Sequence, residues 1–326
     1  MIMADGYFTL ATILLILPVS LLLGVVYAYL FRKFVARLQW RVGPVLVMYS
    51  DLAPLLGTSR ILQPLYDILK LFGKQTIIPQ NARKNLFVSS PYLSLGFAIL
   101  AVLFIPFPGM PLLSTNPYSL IIASYMIIGS IIFTILGPVA SGSPWGVIGA
   151  RREVELFLVT ELGFVISLFS MAFARGTLSL YDFARGGWNF ATLILAVFSG
   201  LLLFISMLGK LHIKPFDMSE AEAEIVAGPY TEYSAKLLGT YYLERVFMLY
   251  GLVAIFIAVY LPPLSSAIVW LPLYLAAAVV LVLFLSIVQN LNPRYRIVNA
   301  LRWYTKLVIP LGILCFLIAL AIRMVV

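Results

Sequence analysis

Cysteine and histidine are almost missing from this chain of 326 residues, which has one of each, Cys315 and His212. Iron–sulfur clusters are held by several thiolates and a bis-imidazole haem by two histidines, so the chain alone can hold neither. Any electron transfer belongs to partners. Charge is scarce too, at 11% of residues, with 13 acids against 22 Lys and Arg. That composition lies far outside the range of soluble domains. The sequence also lacks a glycine-rich phosphate cradle, a nucleophile elbow and any metal-ligand spacing, which removes the motif-borne chemistries from consideration. Internal repeats of the transporter kind are absent, and a free-standing transporter is the weakest reading. Cys315, in an apolar stretch, reads as an inert core thiol. His212, between Lys210 and Lys214, reads as an interfacial residue at the end of a span.

What the chain has in abundance is apolar length: 62% of its residues are hydrophobic and mean hydropathy is +1.04. Runs of about 20 apolar residues cross a bilayer. They occur near 7–31, 92–108, 118–139, 154–174, 190–209, 242–261, 267–288 and 304–326. The expected fold is all-α, a single integral membrane domain over 1–326 with about eight transmembrane helices and amphipathic helices on the cytoplasmic side. Pro106 and Pro108 truncate the second run. The first is expected to be an anchor and not a cleaved signal, because its basic cluster follows the apolar stretch and no small-residue cleavage site is evident.

Lys and Arg give the orientation. Loops 32–91, 140–153, 210–241 and 289–303 hold nearly all of the loop cations, while the alternate loops offer only Arg175 and Arg185. The positive-inside rule makes the first set cytoplasmic and, with an even number of spans, puts both termini outside a cell membrane. The net charge of +9 then reflects topology and lipid contact, and nucleic acid need not be invoked.

The longest loop, 32–91, contains a helical pattern over 61–74. Pro64 suits a first turn; Ile61, Leu62, Leu65, Ile68, Leu69 and Phe72 recur at helical spacing, with Asp67, Lys70 and Lys74 on the polar side. Too short to span, it is expected at the membrane surface or beneath a cytoplasmic partner. Arg41-Val42-Gly43-Pro44 makes a turn before it, and the apolar residues of 45–59 require a cover.

Six of the acids, Asp217, Glu220, Glu222, Glu224, Glu232 and Glu244, fall within 214–244. The four from 217 to 224 would cost roughly 10–14 kcal/mol in lipid, so they are expected at an interface, in a wet cavity or against protein, as a proton path. On a helix over 215–227, Asp217, Glu220 and Glu224 share a stripe and Glu222 points away; their repulsion demands basic partners or raised pKa values. Glu161 lies about two turns into the fourth span and is expected to be functional there. Glu153 and Glu155 are expected at the interface, paired by Arg151 and Arg152.

Three motifs together resemble one family. Arg41-Val42-Gly43-Pro44 with Ile61-Leu62-Gln63-Pro64-Leu65-Tyr66-Asp67-Ile68-Leu69-Lys70-Leu71 looks like its R-x-G-P and L-L-Q-P-x-x-D-x-x-K-L signatures. Arg152 with Glu161 nine residues on is similar to its R-x8-E pattern. Pro215-Phe216-Asp217-Met218-Ser219-Glu220-Ala221-Glu222-Ala223-Glu224-Ile225-Val226-Ala227-Gly228, followed by Thr231-Glu232-Tyr233-Ser234, nearly reproduces its P-F-D-x-P-E-A-E-x-E-[IL]-V-A-G and T-E-Y-S elements. The family is the heel subunit shared by respiratory complex I and the energy-converting membrane-bound hydrogenases. Phe31 where complex I has an acid, residues 45–59 after the first Gly-Pro, and Gly73-Lys74 resemble the branch of [NiFe]-hydrogenases and sulfane sulfur reductases. Ser219 replaces a usual proline.

The resemblance implies a non-catalytic subunit, without cofactor or metal of its own, that joins a cytoplasmic iron–sulfur arm and large catalytic subunit (NiFe in a hydrogenase) to antiporter-like and small membrane subunits. It implies also that Glu161, Asp217, Glu220, Glu222, Glu224, Glu232 and Glu244 line an acidic funnel for proton or sodium translocation. Glu153, Glu155, Arg151 and Arg152 would stand at its entry or interface, and Arg41, Gly43, Pro44, Gln63, Pro64, Asp67 and Lys70 against the arm. A quinone-site subunit and a purely structural anchor are the competing readings.

Overall fold

The computed structural model describes residues 2–44, 60–110, 112–183, 188–261 and 267–325. Among them, eight helices are long and apolar enough to cross a membrane, as expected. They are α1 (Ile2–Leu38), α3 (Lys84–Leu103), α4 (Ser119–Ala140), α5 (Pro144–Arg175), α7 (Phe190–Lys210), α9 (Ala235–Tyr260), α10 (Ala267–Leu291) and α11 (Ile297–Val325). Short helices α2 (Gln63–Phe72), α6 (Leu180–Phe183) and α8 (Glu222–Ile225) lie between them. The expected segment 45–59 and Arg185 lie outside the described residues.

The second span departs most from expectation, at Lys84–Leu103 instead of 92–108. Hydropathy missed its first two turns because Ser89, Ser90 and Pro91 dilute the apolar signal. The helix continues through them because its polar groups are answered: Ser90 Oγ donates to the Leu86 carbonyl at 2.7 Å. Pro91 has no N–H to offer the Phe87 carbonyl four residues back, and the Tyr233 hydroxyl donates to that oxygen at 3.1 Å. One proline thus ties the second span to the acidic segment. Pro106 and Pro108 fall beyond the helix end. The fourth span begins ten residues before the expected 154, at Pro144, which places Glu153 and Glu155 inside a helix.

α9 is the central helix, with 72% of its apolar window buried; it packs against α1, α2, α3 and α10. Without a hydrophobic drive between helices in lipid, close approach depends on small residues. A Cβ added at Gly209 on α7 would collide with Thr160 on α5, and one at Gly163 on α5 with Ser206 on α7. That crossing sets Lys210 at the end of α7 beside Glu161 on α5. The surface helix α2 forms much as its pattern predicts. Pro64 stands in its first turn, Pro64 and Ile68 are buried, and Lys70 faces out. Asp67 pairs with Arg32 on α1 at 2.9 Å.

Candidate functional site

Between α1, α2, α5, α7 and α9 lies a cavity of about 300 Å3. It is lined by Phe31, Pro64 and the exposed pair Arg32 and Asp67, and by Glu153, Lys210, His212, Glu244 and Arg245. A neighbouring depression of about 400 Å3 shares Phe31, Arg32 and Asp67 and is lined also by Arg41, Gly43, Pro44 and Gln63. The turn motif and the surface-helix motif, about 20 residues apart in sequence, therefore meet at one place.

The acidic segment is not the continuous helix that spacing suggested. Only Glu222–Ile225 is helical, and 215–221 runs through turns. Phe216 anchors it, buried among the rings of Tyr295, Trp303 and Tyr304. The shared acidic stripe is therefore wrong, and the repulsion behind it is relieved differently: each acid meets its own cation from another element. Asp217 accepts from Arg294 at 2.5 Å. Glu224 accepts from Arg152 at 2.6 Å. Glu220 is ion-paired to Arg245. The Glu222 side chain lies outside what the structure describes, and Glu232 is half-buried with no ion pair among the described residues.

The loop is closed by backbone geometry that only its sequence permits. Gly228 has φ of +52°, and a Cβ there would run into the Ser219 carbonyl oxygen. Opposite, a Cβ on Gly149 of α5 would meet the Gly228-Pro229 backbone at 2.6 Å. His212 also has positive φ, +52°, an uncommon conformation for a residue with a side chain. In that pose its Nε2 lies 2.7 Å from Glu153 Oε1 and its Nδ1 3.5 Å from Glu220 Oε1. An imidazole with a carboxylate at each nitrogen can take a proton at one and release it at the other.

Glu153 was expected at the interface with arginines, and the structure corrects this. It is 4% exposed and its partner is His212, because α5 starts early and turns this position inward. Glu155 does face outward and pairs with Arg151 at 3.3 Å. Glu161 is ion-paired to the buried Lys210, whose ammonium also lies 4.3 Å from the Phe164 ring centroid. The other oxygen of Glu161, Oε1, is buried without a hydrogen-bond partner among the described residues. Glu244, also 4% exposed, accepts from Ser130 Oγ at 2.7 Å; Ser94 links that hydroxyl at 3.2 Å to Thr134 at 2.8 Å. Arg245 stacks over the Tyr230 ring at 4.7 Å. Burial, reinforced by the nearby carboxylates of Glu244 and Glu153, holds the Tyr230 phenol well above its ordinary pKa.

Sequence reasoning missed Lys210, His212, Arg245, Arg294 and Ser130 as parts of this cluster. Lys210 and Arg245 had a signal, each being a cation beside or within an apolar run, but only the fold says which acid each meets. Among the described residues no group of three or more His, Cys, Asp or Glu side chains is placed to hold a metal ion.

Residues 10–320 match the model of the family described as NADH dehydrogenase. The H subunit of the NADH-quinone oxidoreductase of Magnetococcus marinus is 30% identical over 90% of this chain and 85% of its own length. Its counterpart in Wolbachia pipientis wMel is 30% identical over 94% of each chain. In solved structures, a chain of the membrane-bound sulfane sulfur reductase, an archaeal respiratory membrane complex, superposes with a TM-score of 0.82. It is 23% identical, and the match covers 95% of this chain and 99% of that one.

Proposed function

The chain belongs to the NADH dehydrogenase family, with the H subunits of the NADH-quinone oxidoreductases, and from that premise we propose that its buried ion-pair cluster couples electron transfer in a cytoplasmic arm to ion movement through the membrane. It is a membrane subunit of a complex I-related respiratory complex. The observation that carries the coupling role is the set of charges His212, Glu153, Lys210, Glu244 and Arg245 that line the cavity, extended by Glu220, which meets His212 and Arg245, and by Glu161, which meets Lys210. Reduction at an iron–sulfur cluster of the arm, docked over Arg41, Gly43, Pro44, Gln63, Pro64, Asp67 and Lys70, alters the charge above the cavity. A proton then redistributes along Glu220, His212 and Glu153, and Asp217, Glu222, Glu224 and Glu232 supply the cytoplasmic approach. The energy scale allows this: moving one charge against about 150 mV costs roughly 3.5 kcal/mol, and two electrons falling about 75 mV release as much.

Phe31 in place of an acid in the cavity lining favours an arm of the hydrogenase or sulfane sulfur reductase kind, with antiporter-like membrane partners. The Lys- and Arg-rich loops support an arm on the cytoplasmic side and both termini outside. The test is Glu220→Gln and, separately, Glu161→Gln in the intact complex, comparing electron-transfer rate with ion pumping in vesicles of one preparation. Normal turnover with lost pumping supports the reading; unchanged pumping in both refutes it.

A second reading, a site for a lipid-soluble quinone, is favoured by the position of the same cavity. Residues of α1 and α2 line it, and Ala28, Phe31, Ile68, Met248 and Leu249 give it apolar walls. Quinone retained by the purified complex, or electron transfer to added quinone that Phe31→Trp blocks, separates this reading from the first.

A further inference from the structure

A groove of about 720 Å3, none of whose lining residues belongs to the charged cluster, runs between α5 and α11. We propose that it holds one acyl chain of an anionic phospholipid from the leaflet on the side of the two chain ends, with the phosphate on Arg323.

The dimensions fit one leaflet. On α11 the groove extends from Gly312 to Arg323, eleven steps along the helix or roughly 17 Å at 1.5 Å per residue. Half of a hydrocarbon core of about 30 Å is roughly 15 Å. Its inner end is closed where Gly312 meets Ile166 of α5, at a spacing that would bring an added Cβ to 3.1 Å. Phe173 and Phe316, both exposed, stack on each other with ring centroids 6.3 Å apart and line the groove together. Apart from Ser170, Thr177 and Arg323 the lining is apolar, which suits an acyl chain.

Among the described residues that line the groove, Arg323 is the one with a charge. Arg323 lies against Gly176, the residue that caps α5, where the helix end favours a cation and the missing side chain leaves room for the guanidinium. Among the described residues no acid pairs with Arg323. A guanidinium at the end of an apolar slot, in the last turn of a helix long and apolar enough to span, is the chemistry that selects a lipid phosphate.

The test quantifies phospholipid carried by the intact purified complex, using native mass spectrometry during detergent washing. Wild type is expected to retain an anionic phospholipid. Arg323→Gln should release it about fivefold more readily, Arg323→Lys should largely keep it, and Ile313→Trp should exclude it by filling the groove. Equal retention in all four overturns the proposal. A photo-crosslinking residue at position 316 of otherwise unaltered complex gives a second readout, valid even where a variant does not assemble. Cross-linking to phospholipid is the expected result, and cross-linking to a protein subunit assigns the groove to a partner and overturns the proposal.

Discussion

Lys210 Nζ, with its side chain wholly buried at the end of α7, is ion-paired to Glu161 on the neighbouring α5. Removing one member of a buried pair leaves an uncompensated charge and costs about 3–5 kcal/mol, whereas replacing both by apolar residues of similar size is often neutral. Lys210→Met alone is expected to lower the thermal midpoint of the purified complex clearly. The double variant Lys210→Met/Glu161→Leu should regain most of that loss without regaining pumping. Recovery of pumping together with stability would show that the pair acts only as a brace.

Glu244 on α9 is held by the Ser130 hydroxyl of α4. A hydrogen bond to a charged group contributes about 1.5–3 kcal/mol, so Ser130→Ala is expected to slow ion pumping by roughly tenfold or more while electron transfer continues. Ser130→Thr keeps the hydroxyl and should retain most of the rate. Equal pumping in the alanine and threonine variants would remove Glu244 from the path.

Tyr230 gives a prediction in pH. Its phenol is buried beside two carboxylates and its pKa lies well above the ordinary value of 10.0. A raised pKa means that the neutral form is favoured: its contribution to stability is full below about pH 10 and is lost only as pH rises through the folded-state value. Tyr230→Phe should therefore leave the shape of the pH–rate profile between pH 6 and 9 unchanged, and the phenyl ring keeps the face that Arg245 stacks on. A shifted limb in that window would mean that the phenol titrates in turnover.

Much of this architecture was legible because lipid imposes a simple rule: a span needs about 20 apolar residues and must satisfy its own backbone. Seven of the eight spans could be located from apolar length alone, and Lys84–Leu103 was misplaced where two serines bond back to Leu86 and the Phe87 carbonyl that Pro91 leaves free is met by Tyr233, a contact that no local pattern contains. The acids could be found from their cost in lipid. Their partners could not, since Arg294, Arg152 and Arg245 meet Asp217, Glu224 and Glu220 from other elements. Helical spacing misled over 215–227 for the same reason: tertiary ion pairs and the aromatic seat of Phe216 outweigh the weak local preference for helix.

Gly228 tests whether that loop geometry matters by itself. At φ of +52° an alanine is strained, and its Cβ would collide with the Ser219 carbonyl oxygen, which is backbone and cannot swing aside. Strain of this kind costs on the order of 1–3 kcal/mol before the collision is counted. Gly228→Ala should displace the segment that carries Asp217 and Glu220, separate Glu220 from Arg245 and His212, and lower the yield of assembled complex. Gly73, at the end of α2, is the control: its φ is −80° and the nearest atom to an added Cβ is 3.7 Å away. Gly73→Ala should leave assembly and pumping intact. If Gly228→Ala assembles and pumps like Gly73→Ala, the closed loop is not required to hold the acids, and the coupling role must rest on the span residues Glu153, Glu161 and Glu244 alone.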